Sequence, residues 1–288
     1  MQAVFASAGV AFLPLSVYNN RLRGERVNAM AKKREERKKP SLAYRFVKAL
    51  IRLFYPRTRC VGAENIPGEP VVFIGNHAQL HGPIACELYM PVDRYTWCVA
   101  DVMDRHTAPA YMYKDFWPVK RRGTCWFYHL LSYMITPLTT LLFSNADTVP
   151  VYHDVRLLDT LRRTTDLLEQ GHSIVIFPER DGENNGVLNE FQEGFSDVAK
   201  FYRKRTGNDV CFVPMYLAPT LKLISFGEPL RADPDASVKA ERERVSRVMT
   251  ERITALANAL PLHDVITYRK MPKKHRPKAG KVRPEGGQ

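Results

Sequence analysis

His77 is the first residue of this chain equipped for chemistry. It follows directly on Val71-Val-Phe-Ile-Gly75, a short apolar run that reads as a buried strand. Its side chain is therefore expected at the carboxyl end of that strand, where open α/β sheets hold their ligands. An imidazole with an unperturbed pKa of about 6.5 can take up a proton at neutral pH. Asn76, Gln79 and His81 set polar groups beside it. A second polar cluster follows another apolar run, Ile174-Val-Ile-Phe-Pro-Glu-Arg-Asp-Gly-Glu-Asn-Asn-Gly186. Glu179 and Arg180 leave that strand as His77 leaves its own, and two such clusters on one sheet converge readily on one cleft. The plainer readings are a structural histidine and a surface-loop acid.

Such residues need a sheet to carry them. Segments 149–152, 173–177, 210–216 and 221–226 read as further strands. Segments 76–89, 155–170, 193–205 and 236–259 read as helices, with Gly171 stopping the second. This alternation predicts an α/β fold with a mixed central sheet flanked by helices, and there is no internal repeat. Upstream, Ala43, Phe46, Val47, Leu50, Ile51 and Phe54 recur on one face of a helix over 41–55, with Ser41 as N-cap and Pro56 as stop. Arg45, Lys48 and Arg52 run beside that face. Both an interfacial membrane helix and a helix packed on the domain have this pattern. Residues 123–146 contain no Asp, Glu, Lys or Arg, and a bilayer span needs about 20 apolar residues. Only 14 of these 24 are apolar and Pro137 interrupts them, so a buried or half-inserted hairpin is expected.

The 288 residues carry a formal charge of +13, concentrated at the ends. Residues 21–59 hold 14 basic and 3 acidic side chains, residues 269–288 hold 8 and 1, and the remainder is net −5. That division argues against a nucleic-acid groove built into the fold. Basic flanks suit an anionic partner at the edge of the protein; an anionic membrane surface and a nucleic acid both qualify on composition, as do plain solvated tails. Five scattered cysteines form neither a disulfide framework nor a zinc pattern, which fits a reducing, cytosol-facing environment. Met30 stands directly before the charged run 31–39, so residues 1–29 are a candidate upstream extension; N-terminal sequencing that reads Met1 or Gln2 excludes this.

Taken together, the segments resemble the glycerolipid acyltransferase family, the lysophosphatidate-acyltransferase-like enzymes. The first family block, a strand followed by Asn-His, four further residues and an Asp, is matched by Phe73-Ile-Gly-Asn-His-Ala-Gln-Leu-His-Gly-Pro83. The second is matched by Val149-Pro-Val-Tyr-His-Asp154. The third is matched by Phe177-Pro-Glu-Arg180 with Glu193-Gly194, and the fourth by Val213-Pro-Met-Tyr216. The blocks keep their order over about residues 41–230. The resemblance implies a single acyltransferase-like domain with an N-terminal amphipathic helix. It makes His77 the general base that takes the proton of an acceptor hydroxyl. That hydroxyl then attacks the thioester of acyl-CoA or acyl-carrier protein, with no acyl-enzyme, no cofactor and no metal. Asn76, Gln79, His81, His153, Glu179 and Arg180 become candidates for binding a lysophosphatidate-like lysophospholipid acceptor.

The match departs from the family at three places. The Asp that orients the histidine falls at Gly82, the second-block Arg falls at His153, and the Gly of the third block is Arg180. Arg180 and Arg156 are substitutes for the phosphate cation, while His81, Asp101, Asp104 and Glu179 are substitutes for the acid. The alternative is an inactive lipid-binding or membrane-adaptor relative. A zincin reading of His77 and His81 fails because Ala78 stands where the Glu is needed. No Walker loop, dinucleotide fingerprint or Gly-x-Ser-x-Gly elbow is present. The expected organisation is a flexible basic segment over 1–40, a membrane-interfacial helix over 41–58, the acyltransferase-like domain over 59–262 and a flexible basic tail over 263–288. The whole is expected on the cytoplasmic side of the cell membrane, peripheral or shallowly inserted.

Overall fold

A computed structural model of the chain describes residues 40–117, 123–152, 154–268 and 273–281, all within the unit Lys38–Gln288. The expected segment 1–40 lies outside the described residues up to 39. The strands are β1 (Arg59–Val61), β2 (Val71–Gly75), β3 (Arg94–Val99), β4 (Thr148–Val151), β5 (Ser173–Ile176), β6 (Glu179–Asn184), β7 (Asn189–Phe191), β8 (Cys211–Ala218), β9 (Leu223–Phe226), β10 (Leu230–Arg231), β11 (His263–Asp264) and β12 (Lys278–Ala279). The α-helices are α1 (Leu42–Phe54), α2 (His81–Tyr89), α3 (Ala108–Tyr111), α4 (Cys125–Asn145), α5 (Leu157–Glu169), α6 (Asp197–Thr206) and α7 (Val238–Ala259).

The main sheet runs β1-β9-β8-β2-β5-β3-β4, with β10 beside β8. The five strands from β8 to β4 are mutually parallel, and β9 and β10 run antiparallel to β8. β2 lies near the centre and is buried at all five residues, because a parallel strand covered on both faces has no solvent side to make polar. Val71 and Phe73 pack with Ala85 and Cys86 of α2 on one face. Val72 and Ile74 pack on the other with Leu161 of α5, Val198 of α6 and Met249 of α7. In α7 the buried residues Val245, Met249, Ile253 and Ala257 recur every four positions, and Ser237 caps its N-terminus by accepting the Ala240 N–H.

This topology creates a switch point. From β2 the chain leaves toward α2 on one face and on to β3; from the adjacent β5 it leaves toward α6 on the opposite face and on to β8. The carboxyl ends of two strands with such connections are the place where open α/β sheets bind ligands. Residues 77 and 179 both sit there.

Three expectations are corrected. The helix expected from Asn76 begins only at His81, because Ala78 and Gln79 take φ values of 45° and 59°, outside any right-handed helix. Residues 123–146 form no hairpin: α4 runs unbroken through Pro137. It is also inside-out, with Ser132, Thr136 and Thr139 facing the protein and Trp126, Phe127, Leu130, Tyr133, Met134 and Leu138 facing outward. The buried hydroxyls are tolerated because they donate to carbonyls of the preceding turn, Ser132 to Tyr128 and Thr136 to Ser132, each at 2.8 Å. Finally, the tail expected from residue 263 is folded over its described part. β11 pairs with β12, and Val265, Ile266 and Thr267 are buried. The apolar side chains of Val265 and Ile266 drive this part of the chain into the protein despite the surrounding charge.

α1 is a helix as expected, held by one face only. Tyr44 is buried, and its hydroxyl and Lys48 Nζ reach Glu87 of α2 at 2.7 and 2.5 Å. Arg94 meets the other carboxylate oxygen at 2.6 Å, and the Ser41 N–H donates to Asn145 of α4. Burial alone would raise the Glu87 carboxyl, but the Arg94 charge and the hydrogen bonds from Lys48, Arg94 and Tyr44 hold it at about 2. The outward face carries Phe46, Leu53 and Phe54, which are 71%, 76% and 78% exposed, beside Leu42 and Leu50. No helix among the described residues is long and apolar enough to cross a membrane.

Candidate active site at the carboxyl ends of β2 and β5

Asn76 follows β2 and extends its pairing through a side chain. Its Nδ2 donates to the Leu217 carbonyl at 3.0 Å and its Oδ1 accepts the Leu217 N–H at 2.7 Å, so the amide imitates one more rung of the ladder. Buried and fully engaged with main chain, Asn76 is a bracket for the turn.

The turn it launches places His77. The Gly82 N–H returns to the His77 carbonyl and the His81 N–H to the Ala78 carbonyl, both at 3.1 Å. With Ala78 and Gln79 left-handed, the Gln79 carbonyl folds back onto the ring and meets His77 Nδ1. The Gln79 side chain donates to the Thr267 carbonyl at 3.3 Å. The half-buried ring lies 5.3 Å from that of Phe177 and 5.9 Å, edge-on, from that of Tyr268. Burial pushes the imidazole below its ordinary pKa and so favours the neutral ring, against smaller opposing effects of hydrogen bonds to the Gln79 and His77 carbonyls.

Glu179 comes into the same site from β6, with its carboxylate directed at main chain. Oε2 accepts the His77 N–H at 2.6 Å and Oε1 accepts the Asn189 N–H of β7 at 2.9 Å. It is buried, which raises its pKa, while the two N–H bonds pull the other way. The residue expected to bind acceptor thus joins the His77 turn to the β6–β7 hairpin. Arg180, next along β6, turns outward and pairs with Glu190 at 2.6 Å.

His81 begins α2 and bonds through Nδ1 to the Tyr55 hydroxyl at 3.2 Å. Burial lowers its pKa, and Arg276 lowers it further. Among the described residues no group of three or more His, Cys, Asp or Glu side chains is placed to hold a metal ion. His153 lies outside the described residues. Its neighbour Arg156 is clamped on Asp154 and stacks 4.3 Å over Tyr152. β4, which carries the second sequence block, is three strands from β2.

Gly82 explains why no acid follows His77 by five residues in this site. A Cβ there would stand 2.5 Å from the His77 carbonyl oxygen and 3.1 Å from Phe177 Cε1. Only a hydrogen fits. Residues that sequence reasoning missed are Phe177, Thr267 and Tyr268, together with the main chain of Gln79. Phe177 carried a usable signal in its apolar strand; Thr267 and Tyr268 were hidden in a basic tail.

No protein-family model matches the chain and no curated protein matches it. Among solved structures, it is similar to the crystal structure of the 1-acyl-sn-glycerophosphate (LPA) acyltransferase PlsC from Thermotoga maritima, at 17% identity over 84% of this chain and 91% of that one, with a TM-score of 0.39. A likeness this distant assigns neither substrate nor residue roles.

Proposed function

We propose that the protein is a membrane-associated acyltransferase moving a fatty acyl group from a thioester donor, acyl-CoA or acyl-carrier protein, to the free hydroxyl of a lysophosphatidate-like glycerolipid. The observation that carries this reading is His77 itself. Its imidazole stands at the carboxyl end of β2, between connections that leave β2 and β5 on opposite faces of the sheet, backed by a buried carboxylate that fixes its main chain. His77 removes the hydroxyl proton as the oxygen attacks the thioester carbonyl. The tetrahedral intermediate collapses, the C–S bond breaks, and the imidazolium returns the proton to the departing thiolate. Arg276, whose charge acts on His81, is the cation proposed for the acceptor's phosphate, since charge-assisted contacts to phosphate are strong; Arg180, turned outward onto Glu190, would join it only by leaving that pair.

The membrane part of the reading is supported by two helices that turn large apolar side chains outward, α1 and α4. Exposed Arg45 and Arg52 flank the α1 stripe, as an interfacial helix on an anionic surface requires. Localisation on the cytoplasmic face of the cell membrane is part of the proposal.

The test is acyl transfer by purified protein, offered a panel of lysophospholipids with both donor classes, beside His77→Ala. Transfer lost in a folded His77→Ala variant supports the enzyme. Equal transfer in that variant removes His77 from the mechanism. No transfer from a folded, vesicle-binding wild type favours the inactive lipid-binding relative.

A further inference from the structure

We infer that Gln79 is the positioning residue of the site, its main-chain carbonyl accepting the Nδ1–H of His77 and leaving Nε2 bare to act as the base. The inference rests on the proposed role of His77 in proton transfer.

A carbonyl oxygen can only accept, so the contact between Gln79 O and His77 Nδ1 requires the proton on Nδ1. A neutral imidazole carries one N–H, and Nε2 is then left with its lone pair. Among the described residues no carboxylate bonds to the ring. The nearest acid, Glu179, reaches only the His77 main chain. The charged and titratable groups around the turn are Glu179 from β6, Tyr268 from the strap 263–268, and His81 with its neighbour Arg276. None of these takes the place of the Gln79 carbonyl at Nδ1.

The backbone is strained to make this contact. Two successive non-glycine residues, Ala78 and Gln79, hold positive φ, a conformation that persists only when the surroundings impose it. Here they do so from four directions. Glu179 holds the His77 N–H, Gly82 donates to the His77 carbonyl, His81 donates to the Ala78 carbonyl, and Thr267 accepts from the Gln79 side chain. Gly82 is part of the device: its close approach to the His77 carbonyl closes the turn and leaves no room for a side chain to orient the ring instead. An uncharged acceptor also orients the imidazole without the pKa increase that a carboxylate partner brings, which suits a histidine that must stay neutral.

The test replaces the Gln79–Leu80 amide by an ester, installing the α-hydroxy analogue of leucine at position 80 of the full chain. An ester carbonyl is the weaker acceptor, and among the described residues the lost Leu80 N–H donates no hydrogen bond. Ring-nitrogen NMR shifts of 15N-labelled His77 report the tautomer, and transfer from acyl-CoA to lysophosphatidate reports the rate. The wild type should carry the proton on Nδ1. The ester should shift it toward Nε2 and slow transfer by roughly five- to tenfold, the effect of weakening one hydrogen bond. A wild-type proton on Nε2, or an ester with unchanged tautomer, overturns the inference. A tautomer that shifts as expected in a protein showing no transfer supports the positioning and sinks the acyltransferase reading.

Discussion

The Glu179 carboxylate accepts the main-chain N–H of His77 at 2.6 Å. A buried acid beside a histidine suggests a charge partner for the imidazole, but this one bonds to the peptide and leaves the ring to the Gln79 carbonyl. The consequence is a division of labour. Glu179 sets where the turn sits, through β2 and the β6–β7 hairpin together, and the main chain sets which way the ring faces.

Glu179→Gln should therefore destabilise the protein. An amide offers one acceptor where the carboxylate offers two, so either the His77 or the Asn189 N–H loses its partner, costing about 1–3 kcal/mol for a buried group. The pH dependence has a definite sign as well. Burial raises the Glu179 carboxyl, so its contribution is full below the unfolded pKa of about 4.3 and is lost as pH rises through the folded value. Urea midpoints measured across that range should fall in the wild type relative to the Gln variant. Parallel midpoints would count against a raised carboxyl.

Gly82→Asp places a carboxylate at the position the resemblance suggests, and should damage the protein rather than improve it. The new Cβ meets the His77 carbonyl at 2.5 Å, and overpacking of this kind costs typically 1–3 kcal/mol. A lowered thermal midpoint is expected. An Asp variant as stable as wild type would show that the turn has slack.

The strands that carry the site were legible because they are central. β2, β5 and β8 are buried on both faces and so read as apolar runs. β3 was missed because its two polar buried residues, Arg94 and Thr96, interrupt the pattern, and the β6–β7 hairpin because Glu179–Asn184 contains no β-branched or aromatic residue. His77 could be picked from its place after a strand. Its Gln79 partner could not, since neither Ala nor Gln announces a left-handed φ. The inside-out α4 escaped for a related reason: Ser132, Thr136 and Thr139 face inward, opposite to what side-chain polarity predicts.

Glu87→Ala should loosen α1 without touching the His77 turn. It removes the acceptor shared by Tyr44, Lys48 and Arg94 and leaves the buried Arg94 guanidinium without its carboxylate. Because the Glu87 pKa is lowered to about 2, its stabilisation is present above the unfolded value of about 4.3 and disappears as pH falls toward 2. Amide hydrogen exchange across 42–54 should rise in the variant at pH 7, and in the wild type only in acid. Unchanged protection in Glu87→Ala would refute this anchor.

The pH profile of kcat/KM should show an acid limb displaced below the ordinary histidine pKa of about 6.5. Burial favours the neutral ring of His77, and neutral is the active form. Activity should persist as pH drops through 6.5 and fail only when the folded-state value is reached. A limb at or above 6.5 that disappears with His77 would contradict a ring held neutral by burial.

Phe46→Asp combined with Leu53→Asp should abolish vesicle binding and leave stability nearly unchanged. Both side chains project from the outward face of α1, so the folded protein loses little by their removal. On a bilayer each would bury its apolar surface, contributing roughly 1.5–3 kcal/mol, and replacing both with carboxylates adds repulsion from anionic lipid. Co-sedimentation with vesicles containing anionic phospholipid should drop by more than about tenfold. Transfer to a short-chain, water-soluble acceptor should be retained, because α1 contributes none of the bonds around the His77 ring. Undiminished vesicle binding in a folded double variant would move the membrane contact off this face, leaving the outward side of α4 as the surface to test.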